Sequence, residues 1–100
     1  MTEFMGNISG TYDAKEEGFS PGASSLHSCM TGHGPEGGVF DKASNAELSP
    51  FKTPEDGLAF MFESCYLLKL TDYAMSPAGV DPNYRKCWST IKPQFNKNKK

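Results

Sequence analysis

Three side chains of this sequence could share one piece of chemistry. His27 and His33 are the chain's two histidines, six residues apart in Ser25-Leu-His-Ser-Cys-Met-Thr-Gly-His-Gly-Pro-Glu-Gly-Gly38, and Glu3 supplies a carboxylate near the first residue. Two imidazoles and one carboxylate on a rigid β scaffold form a facial ligand set for Fe(II). Such a set leaves coordination positions open for a substrate and for oxygen. From spacing alone plainer roles stand beside this one: hydrogen-bonded polar histidines and a surface carboxylate.

The elements that must position these groups are mostly strands. Glu3-Phe-Met-Gly-Asn-Ile8 reads as a buried strand and Thr11-Tyr-Asp-Ala14 as a second short one. A Gly-, Pro- and Ser-rich loop covers 16–25, and Leu26–Thr31 forms a strand entering the Gly32-His-Gly-Pro35 bend. Residues an even number apart share a face of an extended strand, so His27 and His33 meet that parity. Eight of the ten glycines fall between Gly6 and Gly38, where the backbone bends most freely. A short helix is expected within Phe40–Leu48, after Asp41.

Leu58–Cys65 is the clearest strand. Leu58, Phe60 and Phe62 alternate with Ala59, Met61 and Glu63, apolar on both faces until Glu63, which places it in the middle of a sandwich. Tyr66–Ala74 reads as a continuing strand. Asp81 and Pro82 open a closing helix with Tyr84, Cys87, Trp88 and Ile91 as its apolar stripe, and Pro93 ends it. Strands linked by glycine-rich loops with a closing helix point to a mainly β fold, a sandwich or jelly roll with a short C-terminal helix.

Composition narrows the classes. At 37% hydrophobic residues, a 100-residue chain builds a thin core for a free-standing unit. The net charge of -2 excludes a general nucleic-acid binder, although residues 1–65 carry a net -7 and residues 66–100 a net +5. The basic residues end in a tail, 96–100, expected to be solvated. The longest apolar runs are too short to cross a bilayer, so no membrane partner is expected. Cys29, Cys65 and Cys87 include no CxxC pair and suit a reducing, cytoplasmic setting.

Six stretches carry a resemblance: Glu3-Phe-Met-Gly6, Tyr12-Asp-Ala-Lys15, Ser25-Leu-His-Ser28, Met30-Thr-Gly-His-Gly-Pro35, Ala59-Phe-Met-Phe-Glu-Ser64 and Asn83-Tyr-Arg-Lys-Cys-Trp88. In this order and at these intervals, the chain resembles the C-terminal portion of the homogentisate 1,2-dioxygenase family over nearly its whole length. The resemblance implies a cupin-like jelly roll, with 1–95 as the C-terminal part of its catalytic domain. It implies an Fe(2+) enzyme of tyrosine and phenylalanine catabolism, which converts homogentisate and O2 to maleylacetoacetate and assembles as a homo-hexamer.

Residue by residue, the resemblance makes Glu3 and His33 iron ligands and turns Tyr12 toward the substrate. His27 becomes a catalytic residue beside the iron, steering a proton or holding a phenolic oxygen of the substrate, with His33 also facing it. A structural role for His27, pinning the glycine loop, competes with this. The family's first histidine ligand precedes the glutamate and would lie upstream of Met1, as would an acid–base histidine in a large N-terminal part. Ser9 stands where a bulkier polar residue is expected in relatives. The chain is therefore expected to be a fragment, inactive alone. The alternative is a small non-catalytic β-sandwich module that binds a partner through its aromatic face or basic tail.

Overall fold

The computed structural model describes residues 1–52 and 55–98; the last two residues of the expected basic tail lie outside them. Three strands, β1 (Thr2–Ser9), β2 (Ser24–His27) and β3 (Leu58–Ser64), form one antiparallel sheet in the order β2-β1-β3. One helix, α1 (Gly37–Ser44), lies between β2 and β3, and a single 3-10 turn, Tyr84–Trp88, follows them. The chain is mainly sheet. The described residues do not build the second layer of a sandwich. None of their helices is long and apolar enough to cross a membrane.

β1 is the middle strand, and its register sorts the side chains. Glu3 lies opposite His27 and Glu63, and Met5 opposite Ser25 and Met61, so these groups share one face. Phe4, opposite Leu26 and Phe62, and Gly6, opposite Ser24 and Phe60, share the other. Gly6 leaves room there for the Phe60 ring, which a Cβ would meet at 2.6 Å and displace. The register shifts between Asn7 and Ser9, which ends regular pairing at this end of the sheet.

Buried polar groups tie the loops to β1. Thr2, 1% exposed, donates its hydroxyl to the Tyr66 carbonyl at 2.6 Å and accepts from the Cys29 N–H at 3.0 Å. It thus joins the chain beyond β2 to the chain beyond β3. Buried Asn7 donates its amide to the Gly10 carbonyl at 2.9 Å and the Phe19 carbonyl at 2.8 Å, closing the 10–19 loop over the face that carries Glu3. Met5 and Phe19 are the buried hydrophobic residues at this point.

Several expectations are corrected. β3 lies at the edge of the described sheet, not its middle: it pairs with β1 alone, and Phe62 is 68% exposed and Leu58 56%. Its two apolar faces are as read from sequence, but among the described residues nothing covers the outer one. Thr11–Ala14 is a turn closed by the Tyr12–Lys15 bridge, since Asn7 captures the Gly10 carbonyl and bends the chain there. Tyr66–Ala74 forms no strand: it is irregular as far as Thr71 and turns from Asp72, with Ala74 N–H donating to the Thr71 hydroxyl at 3.2 Å. The helix starts earlier, at Gly37, which is buried where an added Cβ would meet Thr90. The closing helix is one 3-10 turn.

The accessible surface is 8493 Å². A compact monomer of this mass exposes about 5,600 Å². Exposed apolar side chains contribute to it, among them Phe62 on the Phe4–Phe62 face and Tyr66, Leu67, Leu70 and Tyr73 along 66–75.

Candidate metal centre and adjoining cavity

Glu3 comes from the rigid central strand, His27 from the last position of β2, and His33 from the loop that follows. The strand does not continue to His33, as its parity implied. It ends at His27, and the chain turns through Met30, whose φ of 65° is left-handed. The turn brings the His33 ring back onto His27, stacked at 4.1 Å and 11°. One ligating atom from each of Glu3, His27 and His33 lies within 4.8 Å of the others.

The three are not equivalent. Glu3 Oε2 accepts from His33 Nε2 at 2.7 Å. Two atoms bound side by side to one ion at ~2.1 Å lie about 3 Å apart, so this pair has ligand spacing. His33 Nδ1 donates to the Thr31 carbonyl at 3.1 Å, which fixes the ring and leaves Nε2 as the metal-facing atom. His27 is differently placed. Its Nε2 is paired with the Tyr84 hydroxyl at 2.9 Å, and its Nδ1 is buried without a partner among the described residues. Glu3 and His33 therefore fit a metal directly, and His27 lies beside it.

Electrostatics agrees with this division. The Thr31 carbonyl first, and Glu3 second, raise the His33 pKa. The hydrogen bond from His33 lowers that of Glu3. Without a metal the two form an ion pair, both ring nitrogens of His33 being donors. Burial lowers the His27 pKa, with the charge of His33 adding to it, so His27 stays neutral.

These groups open onto a cavity of about 160 Å³. Tyr12 lines it with Glu3, His27 and His33, so every residue expected at the site from sequence is brought together. Tyr12 packs edge-on against Phe19 at 5.6 Å, and burial raises the pKa of its phenol. Met5, Phe19, Met61 and Trp88 supply apolar wall.

Three further residues contribute, two of them members of the apolar stripe and one, Glu36, to which the sequence assigns no role. Tyr84 reaches His27. Trp88 Nε1 donates to the Gly34 carbonyl at 2.8 Å, holding the loop one residue beyond His33. Glu36 donates its N–H to the Ala14 carbonyl at 3.0 Å and pairs with Lys15 at 3.5 Å, joining that loop to the turn bearing Tyr12. The available signal was an apolar stripe whose aromatic members, Tyr84 and Trp88, carry polar tips that need partners when covered.

Comparison with known proteins bears on the same residues. The chain is 54% identical over 92 residues to homogentisate 1,2-dioxygenase of Dictyostelium discoideum, a match covering 92% of this chain and 21% of the relative. The chain thus spans about a fifth of that curated relative. Residues 1–95 match the family model described as homogentisate 1,2-dioxygenase, C-terminal. With the carboxylate, both histidines and Tyr12 gathered at one cavity, the chain belongs to the homogentisate 1,2-dioxygenase C-terminal family.

Proposed function

We propose that this chain is the C-terminal part of an iron(II) dioxygenase that cleaves the ring of homogentisate to give maleylacetoacetate, a step of tyrosine and phenylalanine catabolism. Glu3 and His33 are its iron ligands, and the observation that carries this is their 2.7 Å contact at the mouth of the cavity. Bound iron supplies open positions for substrate oxygen and O2 and the redox capacity that ring cleavage needs. The chain's own residues do the rest. Thr31 keeps the His33 ring oriented. The raised pKa of Tyr12 keeps its phenol protonated, a donor facing the substrate. His27, neutral and with Nδ1 unpaired, holds a substrate oxygen or moves its proton. The wall of Met5, Phe19, Met61 and Trp88 excludes water.

The chain works inside a larger polypeptide, packed as a cupin-like jelly roll and assembled as a cytoplasmic homo-hexamer; an accessible surface above that of a compact monomer of this mass supports the first of these. Alone, the chain is inactive. Oxygen uptake with homogentisate is the test: the full-length polypeptide carrying this segment consumes O2, its Glu3→Gln form does not, and the 100-residue chain by itself does not. Retained uptake in the full-length Glu3→Gln form would refute the assignment.

A second reading, a non-catalytic interaction module, draws on the bare Phe4–Phe62 face. A monodisperse, cooperatively melting, metal-free chain would favour it.

A further inference from the structure

We propose that Tyr84 is a positioning residue: its phenol donates to Nε2 of His27 and fixes that imidazole as the Nδ1–H tautomer, reserving the Nδ1 proton for an oxygen of the bound ligand. The inference deepens the reading of the cavity as a substrate site and rests on it for its functional meaning. The hydrogen-bond assignment itself stands on geometry alone.

The argument is an inventory of protons. A phenol has one hydrogen to donate, and a neutral imidazole has one donor and one acceptor nitrogen. The Tyr84 hydroxyl and His27 Nε2 are 2.9 Å apart, and the phenol has no other hydrogen-bond partner among the described residues. Ser25 Oγ is close enough to favour the ionised phenol, yet it makes no hydrogen bond of ordinary geometry. If Nε2 carried the proton, the half-buried phenol hydrogen would have no acceptor in hydrogen-bond geometry among the described residues. If the phenol donates, both groups are satisfied and the His27 proton moves to Nδ1. Above the ordinary imidazole range and below the phenol's, both groups are neutral, and the 2.9 Å contact alone sets the direction of the bond.

Nδ1–H is then the one group of the pair left without a partner, and it is buried. A buried donor without an acceptor is costly, and a ligand oxygen relieves that cost. The group that answers it is a hydrogen-bond acceptor, and on the proposed reading of the cavity that is a ring oxygen of the substrate. Tyr84 is itself anchored for this task. Its ring packs edge-on against Trp88 at 5.3 Å, and the Lys15 ammonium lies 5.7 Å from its centroid.

The experiment is nitrogen–proton NMR of the metal-free full-length polypeptide carrying this segment, with histidine labelled within the segment only, where its two imidazoles give two resolvable patterns. His27 is expected as the Nδ1–H tautomer. In Tyr84→Phe the tautomer ratio should move toward Nε2–H by ~2- to ~12-fold, the population equivalent of one hydrogen bond. His33, tied to Thr31 and Glu3, should not change. A merely structural Tyr84 would leave the ratio where it was. Should Tyr84→Phe unfold the chain, the wild-type tautomer decides: His27 as Nε2–H, or indistinguishable from a free imidazole, overturns the proposal. Metal binding is titrated separately. A chain that binds no iron but holds Nδ1–H overturns the metal reading and upholds this one.

Discussion

Metal uptake should release a proton, and the amount follows from who donates to whom. In the metal-free chain both nitrogens of His33 donate, Nδ1 to Thr31 and Nε2 to Glu3. A metal at Nε2 needs a bare nitrogen, so the proton there must leave. Glu3 gives up none, because its lowered pKa already keeps it ionised, and His27 gives up little, because burial keeps it neutral. The raised pKa of His33 means the ion pair is complete below the ordinary imidazole value and is lost as pH rises through the raised one. The lowered pKa of Glu3 means the pair is complete above the ordinary carboxylate value and is lost as pH falls through the lowered one. Between these limits metal and proton compete one for one, so apparent affinity should climb ~tenfold per pH unit. Calorimetry with Co(II), in buffers of different ionisation enthalpy at about pH 6.5, reads the release directly. An unperturbed imidazole would give about half a proton there. The wild-type chain should release more than that, and Glu3→Gln should release less than the wild type and bind more weakly. Uptake without proton release, or a Glu3→Gln chain matching the wild type in both quantities, would refute the ligand pair.

Two further predictions concern the scaffold. Thr2→Val keeps the shape but strands the Tyr66 carbonyl and the Cys29 N–H, so it should cost about 1–3 kcal/mol in urea unfolding; an unchanged midpoint would show that the bridge is idle. Gly10→Ala should destabilise more than Gly22→Ala under the same assay. Both sit at positive φ, a cost of about 1–2 kcal/mol, but only at Gly10 would a Cβ also press on backbone, 2.9 Å from Gly57 Cα.

What the sequence discloses about this molecule is local. The alternation of Leu58, Phe60 and Phe62 marks β3 because side chains of period two sort themselves without reference to the rest of the fold. Its place in the sheet was not legible, since that depends on which strands lie beside it. The apolar set Tyr84, Cys87 and Trp88 does turn toward the site, yet on a 3-10 turn in place of an α-helix. The Asp81 carboxylate accepts from the Asn83 N–H at 2.8 Å, and the turn hydrogen bonds close to the third residue, as from Lys86 N–H to the Asn83 carbonyl. The Glu3–His33 meeting was indicated by wording shared with a family, not by period. The strand parity expected for the two histidines does not apply, because the chain leaves β2 at His27 and returns through Met30. Thr2 carried no signal, as its partners lie 27 and 64 residues away.

The placement of His33 depends on polar tethers more than on packing. Gly32 and Gly34, on either side of it, have open space around them, and the loop gains little from buried apolar area. Its course is set by the Thr31 carbonyl on Nδ1, the Trp88 indole on the Gly34 carbonyl, and the Glu36 N–H on the Ala14 carbonyl. Each is a hydrogen bond worth about 0.5–1.5 kcal/mol, small beside the core of a domain but sufficient to choose among conformations of a short loop. Glu3, by contrast, is fixed by pairing on both sides of β1. Of the proposed ligand pair, Glu3 is therefore the rigid member and His33 the adjustable one. On that proposal, His33 would exchange its proton for a metal by a shift of its loop, with the sheet that carries Glu3 and His27 as the fixed frame.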